Sequence, residues 1–283
     1  FVISLPFDVE IALRYVRGGG HRSRDKFISF ISGLSMAGIG LGVAALIVVL
    51  SVMNGFQKEV RDRMLSVIAH VELYERWGGA LPDWTQLAAQ ARQHPEVVGA
   101  APFVPAQALI ARGEDMRGAM VRGIEPVAEA TVTPLAASMK DTFARLKSGE
   151  WGVLIGVELA NALGVREGDA LTLVAPSGQV TPAGVVPRLK QVTVAGIFSA
   201  GHYEYDSGLV LMHVDDAARL FRTGGPTGVQ LKLKDAQQAR QVAAELAAQL
   251  GQQVVVRDWT QTNRNWFDAV QIEKRMMFII LTL

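Results

Sequence analysis

The sequence predicts a membrane protein in which transmembrane helices flank a folded α/β domain outside the bilayer. Three observations predict it. From Phe27 to Gln57 the chain carries no ionisable residue. A strand–helix–strand pattern stands at each end of the long polar-faced stretch that follows. A strand-rich region lies between those two patterns.

The uncharged run comes first. A helix needs about 20 apolar residues to cross a hydrocarbon core of roughly 30 Å, and FISFISGLSMAGIGLGVAALIVVLSVMNGFQ is long enough to cross with tilt. It is too long for the apolar core of a signal peptide, and Ser51 to Phe56 is a poor cleavage context. Arg14, Arg17, Arg22, Arg24 and Lys26 precede it, against Asp8, Glu10 and Asp25. That bias puts the N-terminus in the cytoplasm and the stretch from Lys58 to Arg275 outside. Val9, Ala12, Leu13 and Val16 form an apolar stripe over Asp8 to Arg17, as in a short helix lying in the membrane interface. Within the run, Gly33, Gly38, Gly40 and Gly42 cluster. Gly38 with Gly42, and Ser51 with Gly55, have the small-x-x-x-small spacing that lets another helix approach closely.

The domain follows. Val67–Tyr74 reads as a strand, and Asp83 to His94 as a helix with Asp83 at its cap and Gln86 in capping-box position. Val97–Arg112 reads as extended, broken by Pro102 and Pro105. The pattern recurs in the strand Gly228–Leu233, the helix Ala236–Leu250 and the strand Gln253–Arg257. Two βαβ-type units folding together are expected. Between them, Trp151–Ile155, Leu171–Ala175, Val192–Phe198 and Leu209–His213 read as strands. Val157–Leu163 and Asp215–Phe221 read as short helices, with Gly164 a natural stop. From Trp259 the chain reads as one helix running into the membrane. Met276 to Leu283 is expected to begin a second transmembrane helix, cut within it.

Composition excludes several functions. The 283 residues carry 28 Lys and Arg against 27 Asp and Glu, a net charge of +1, so nucleic acid is not an expected partner. The absence of cysteine excludes disulfides, zinc–thiolate sites and thiol nucleophiles. No P-loop motif is present, so ATP is not bound that way. Ser23 to Lys26 matches S-x-x-K without companion motifs. His202, Glu204 and Asp206 alternate in GHYEYD and on a strand would share a face that could hold a metal, but a solvated loop is the expectation. The segment PSGQVTPAGVVP, Pro176 to Pro187, stands out instead. It should be a stiff hairpin tip with apolar Val180, Val185 and Val186, and with Arg188 and Lys190 at its foot.

Ile11 to Arg17 (IALRYVR), the glycine-rich run, and Ser51 to Phe56 (SVMNGF) with Lys58 and Glu59 resemble the LolC/LolE permeases. These are membrane subunits of the lipoprotein-releasing ABC transporter of Gram-negative bacteria. The likeness continues through Val165 to Asp169 (VREGD), the hairpin, and Gln271 to Met277 (QIEKRMM), and so covers essentially the whole chain. It implies four transmembrane helices with a periplasmic domain of MacB-like type between the first two, made of a split α/β Porter part and an inserted β-rich Sabre part. The divisions it implies are a cytoplasmic segment with the interfacial helix at 1–26, transmembrane helix 1 at 27–57, and the first Porter part at 58–112. A Sabre-like insertion follows at 113–225, then the second Porter part at 226–262, and a helix leading into transmembrane helix 2 at 263–283.

The resemblance also implies a Hook at 176–187 that recruits a LolA-like periplasmic carrier. Its residues are Pro176, Val180, Thr181, Pro182, Ala183, Gly184, Val185, Val186 and Pro187, with Arg188 at the base. LolE lacks the Hook, so the chain resembles the LolC type or the hybrid LolF type. A methionine can stand where Ala183 stands here, and the loop looks a residue shorter, which shifts the contact towards Val180, Val185 and Val186. Gly38, Gly40, Gly42, Ala45, Val49 and Met53 would pack against neighbouring helices and line a lipoprotein cavity. The implied partners are a LolE-like permease (or a second copy, if LolF-type), a LolD-like ATPase dimer, the carrier, triacylated lipoproteins and membrane lipid. No cofactor or metal is expected, and the chain itself is not expected to be an enzyme. The implied location is the Gram-negative inner membrane, multi-pass. A MacB-like efflux permease and a two-span periplasmic sensor stay open as alternatives.

Overall fold

The computed structural model describes residues 23–65, 67–81, 83–181, 184–251, 254–262 and 264–282. The interfacial helix expected over Asp8 to Arg17 lies outside them. Two compact units divide at Glu59/Val60. The first is dominated by helix α1 (Ser23–Met64), which continues into the second. Phe30–Val60 is long and apolar enough to cross a bilayer, by length and composition, and its side chains are unburied.

In the second unit, β1 (Val71–Glu75), α2 (Trp84–Ala91) and β2 (Val97–Arg112) form the first pattern. β3 (Asp115–Ile124) then returns along β2. Three short helices follow, α3 (Pro126–Glu129), α4 (Pro134–Ser138) and α5 (Lys140–Phe143), and then β4 (Gly152–Gly156) and α6 (Val157–Leu163). β5 (Ala170–Thr181) and β6 (Gly184–Phe198) make a long hairpin, followed by α7 (Tyr203–Gly208), β7 (Leu209–His213) and α8 (Val214–Phe221). The closing pattern is β8 (Gly228–Leu233), a 3-10 turn at Ala236–Gln238, α9 (Ala239–Leu250) and β9 (Val254–Asp258). α10 (Trp259–Thr262) and α11 (Arg264–Thr282) end the described chain.

The strands make two joined structures. β2, β8, β1 and β9 lie side by side, all antiparallel to their neighbours. Each expected βαβ unit is therefore split: β8 sits between β1 and β2, and β1 sits between β8 and β9. α2 and α9 cover one face, where Ala88, Ala91, Val242 and Leu246 bury against Val71, Leu73, Val229 and Leu231. The second structure is a closed ring, β2–β3–β7–β4–β6–β5 and back to β2. Val104, Ile110, Val121, Val153, Ile155, Leu173 and Val194 fill it.

β2 belongs to both. Val97 to Phe103 pair with β8, Phe103 to Arg112 with β3, and Leu109 to Ala111 with β5. A division at residue 112 thus runs past a strand whose second half is already part of the ring. The prolines do not break it, contrary to expectation. Pro102 precedes the first β3 pair, and Pro105 lies between the β8 and β5 pairings. Each proline therefore meets an unpaired edge, where a missing N–H costs nothing. The expected cap is also absent: Asp83 precedes α2 but makes no side-chain cap bond. The stop at Gly164 holds, with φ 62° in the left-handed region.

The two structures meet over a buried polar cluster. Arg122 of β3 donates to Glu72 Oε1 and to Gln230 Oε1, both at 2.7 Å. Its guanidinium also lies 4.3 Å from the centre of the Phe103 ring. That ring crosses Gly228, where any side chain would collide with it. Tyr74 donates to Glu72 at 2.7 Å. Gln230 and Thr133 donate to Glu129. Burial pushes the Glu129 carboxyl up to about 7, against the pull of Arg122, Thr133 and Gln230.

Removing Arg122 leaves two buried acceptors facing each other. Arg122→Ala should cost about 3–5 kcal/mol, the range for breaking a buried pair from one side. Arg122→Met keeps more volume and should cost less. Urea midpoints check both, and a wild-type midpoint for Arg122→Ala would deny the cluster any structural weight.

Glu129 and the partly buried His70 pull stability in opposite directions. Glu129 holds its proton in the folded state, so its contribution is complete below pH 4.5 and is lost as pH rises through about 7. Burial lowers His70 from 6.5 to about 4, so its contribution is complete above 6.5 and is lost as pH falls through 4. Glu129→Gln should remove the first arm. The variant should lose stability more steeply on acidification from pH 6.5 to 4.5 than the wild type does. Parallel pH profiles of the urea midpoint would show that Glu129 does not titrate in that window.

Candidate functional site

The most prominent feature of the ring is the β5–β6 hairpin. The strands pair from Ala170↔Thr193 to Ala175↔Arg188, shift register, and resume from Gln179↔Val186 to Thr181↔Gly184. Pro176 and Pro187, both exposed, sit at the shift, where neither can donate to the ladder. β5 meets β2 only up to Val174, and β6 meets β4 only from Thr193 onward. Beyond those points, among the described residues, neither strand pairs with any strand but the other. The segment expected as a loop is thus a two-stranded ribbon, with three residue pairs, about 10 Å, past the prolines. The backbone of Val180, Thr181, Gly184, Val185 and Val186 lies in it, while Pro182 and Ala183 lie outside the described residues.

The basic foot is turned inward. Arg188 is half-buried and donates to the Leu220 carbonyl at 3.2 Å, at the end of α8. Lys190 lies 3.9 Å over the Trp151 ring. Trp151 has a left-handed backbone, φ 56°. Its N–H and that of Gly149 donate to the fully buried carboxylate of Asp216. Both cations expected to face a partner therefore brace the root of the ribbon. Beside that root opens a mainly apolar cavity of about 650 Å³, lined by Leu109, Met120, Val174, Pro176, Pro187 and Glu204. Leu109 and Met120 are 41% and 44% exposed, unusual for large apolar side chains on adjacent strands.

From Tyr203 onward GHYEYD is the start of helix α7 rather than a loop, with Tyr203 and Glu204 exposed. Asp206 is buried in α7 and accepts from Ala200 N–H at 2.6 Å and from Ser199 Oγ at 3.3 Å. It is committed to the turn after β6, and helical spacing turns Glu204, two residues back, to the far side of the helix.

The remaining candidates lie on α1. At about 100° per residue, Gly38, Gly42, Ala45, Val49 and Met53 form one stripe. Gly40, about 200° from Gly38, lies on the far side. The helix thus divides a set that the sequence had grouped. Apart from the helix's own neighbouring residues, no described atom comes within 4 Å of a Cβ built at Gly38, Gly40 or Gly42.

The cavity residues Leu109 and Met120 were missed because β3 was missed. A signal existed: Gly113 and Glu114 form a two-residue turn between Arg112 and Asp115, with Gly113 at φ 60°.

The MacB-like periplasmic core domain matches residues 32–249 of this chain. The lipoprotein-releasing system transmembrane protein LolC of Neisseria meningitidis serogroup B is 46% identical over 276 residues, covering 96% of this chain and 66% of that protein. LolC of Xylella fastidiosa is 43% identical over 279 residues, covering 98% and 66%. LolE of Haemophilus influenzae is 28% identical over 277 residues, covering 96% and 66%. The chain thus spans 66% of the length of these relatives. The solved periplasmic region of MacB from Actinobacillus actinomycetemcomitans has TM-score 0.40 and 10% identity over 71% of this chain and 94% of that one, too loose a likeness to carry weight. With the core-domain match over most of its length and LolC relatives at 43–46% identity across nearly all of it, the chain belongs to the MacB-like periplasmic core domain family, within its LolC/LolE group.

Proposed function

We propose that this chain is a permease subunit of a lipoprotein-releasing ABC transporter in a Gram-negative inner membrane. The observation that carries the reading is the free β5–β6 ribbon in a chain so similar to LolC proteins. In this reading α1 is the first span, α11 leads into the second, and the protein is multi-pass. The stripe of Gly38, Gly42, Ala45, Val49 and Met53 faces a partner permease and the acyl chains of a triacylated lipoprotein. The ribbon is the Hook of a LolC-type or LolF-type subunit and engages a soluble LolA-like carrier.

Energy enters from outside the chain. Each methylene exposed to water costs about 0.8 kcal/mol, so lifting acyl chains from the bilayer needs a coupled source. That source is ATP hydrolysis by a LolD-like dimer, and this chain is non-catalytic. The ribbon suits the hand-over because its root is braced by Arg188 and Lys190 while the strands beyond are free of the barrel. The tip contact falls to Val180, Val185 and Val186.

The reading is tested at the ribbon. Replacing residues 176–187 with a short Gly-Ser turn leaves the pairs from Ala170↔Thr193 to Ala175↔Arg188 in place. The protein should stay folded and assembled while carrier affinity falls at least about tenfold, a loss of roughly 1.4 kcal/mol. Native carrier affinity would reject the Hook assignment. Arg188→Glu is a poorer probe, because it removes the bond to Leu220 and should loosen the root itself.

The helix stripe gives a second test. Gly42→Leu puts a branched side chain on the small-residue face and should lower the yield of assembled transporter several-fold. Gly40→Leu, on the far side, should lower it less. Equal losses from the two variants would show that the stripe is not the packing face.

A further inference from the structure

A second cavity, of about 690 Å³, opens beside β9, where the sheet ends and α11 begins. Three arginines line it from three elements: Arg240 in the first turn of α9, Arg257 on β9, and Arg264 at the start of α11. The Arg257 guanidinium lies 5.3 Å from the centre of the Tyr74 ring, and the Tyr74 hydroxyl is tied to Glu72. That arginine is therefore held over a fixed platform. Arg264 meets Asp268 only at 3.9 Å. Among the described residues, no carboxylate pairs with Arg240 or Arg257. Three guanidiniums thus share one cavity with one carboxylate.

Like charges drawn together repel, and nothing in the cavity wall offsets the excess. An oxyanion would. The planar donor fork of arginine matches phosphate in particular, because two parallel N–H bonds fit two of its oxygens. Gln261 adds a neutral hydrogen-bonding side chain to the same wall, while the Thr260 hydroxyl is spent on Asp258. The cavity also has a definite address. It adjoins the first turn of α11, the helix that becomes apolar from Met276. That first turn includes Trp266 in sequence, and tryptophan collects at membrane–water interfaces.

We infer that this cavity takes the phosphate group of an anionic phospholipid, seating the domain on the headgroups at the root of α11. The choice of lipid over free phosphate rests on the reading that α11 enters the bilayer. Arg240 and Arg257 supply the fixed part of the site. Arg264 supplies a part that moves with the helix, so a bound headgroup would tie α11 to the edge of the sheet.

The test uses the full protein in detergent, titrated separately with phosphatidylglycerol, phosphatidylcholine and inorganic phosphate, with the thermal unfolding midpoint as readout. Phosphatidylglycerol should raise the midpoint saturably, and phosphatidylcholine should not. Arg240→Gln should weaken the phosphatidylglycerol response roughly tenfold, the effect of one lost charge-assisted bond. Arg240→Gln with Arg257→Gln should abolish it. If the double variant is already unstable in phosphatidylcholine, Arg240→Gln alone is decisive, because among the described residues no structural bond depends on that side chain. A response to inorganic phosphate equal to that for phosphatidylglycerol would keep the oxyanion site and overturn the lipid as its source. No response to either, or an unchanged response in Arg240→Gln, overturns the site. Loss of the lipid response with normal lipoprotein release bears on this inference alone. A retained lipid response without release bears only on the transporter reading.

Discussion

The domain depends on a single strand serving two structures at once. β2 pairs with β8 through its first half, and with β3 and β5 through its second. Without a new bulge, a slip of β2 against β8 would also be a slip against β3 and β5, and a one-residue slip would turn every side chain to the opposite face. The split sheet and the ring are therefore set against each other by the hydrogen bonds of one stretch of backbone. The ribbon inherits that constraint, because β5 is held in the ring by β2 itself. A displacement of the sheet is thus carried to the ribbon through paired strands rather than through a flexible linker.

The polar cluster around Arg122 adds direction to that join. Apolar contacts between the two structures would tolerate sliding, because burial is indifferent to orientation. A guanidinium that must satisfy Glu72 and Gln230 while lying on Phe103 accepts one arrangement. Buried ion pairs of this kind contribute little net stability over well-packed apolar residues. Their value here is geometric, since they hold a strand of the ring above the face of the sheet left uncovered by α2 and α9.

Much of this was legible in the sequence, for identifiable reasons. β7, β8 and α6 have the bounds read for them, because each is a short apolar or periodic run flanked by glycine or by charge. The split pairing was not legible, since periodicity reports that a strand exists and not which strand lies beside it. β2 was read as broken because proline is usually disruptive, and only the pairing shows that Pro102 and Pro105 meet free edges. The place of the hairpin was readable from its prolines, but its continuation as a ladder was not. Arg188 looked like a docking residue because sequence gives charge without direction. The Arg122 cluster joins residues 50 and 108 positions apart, a distance over which no local pattern speaks.

The join between β1 and β9 has a consequence for biosynthesis. Val71 pairs with Asp258, and the Trp259 N–H donates to the His70 carbonyl at 3.1 Å. The excursion that forms the domain leaves and returns at one point, so it closes its own loop. The entropic cost of closure rises only slowly with the length enclosed, which lets a large domain sit between two helices without straining either. β9 is the last of the described strands to leave the ribosome, and α10 and α11 follow it immediately. The outer edge of β1 stays open until β9 arrives, so completing the sheet and delivering the next helix are one event in the making of the protein.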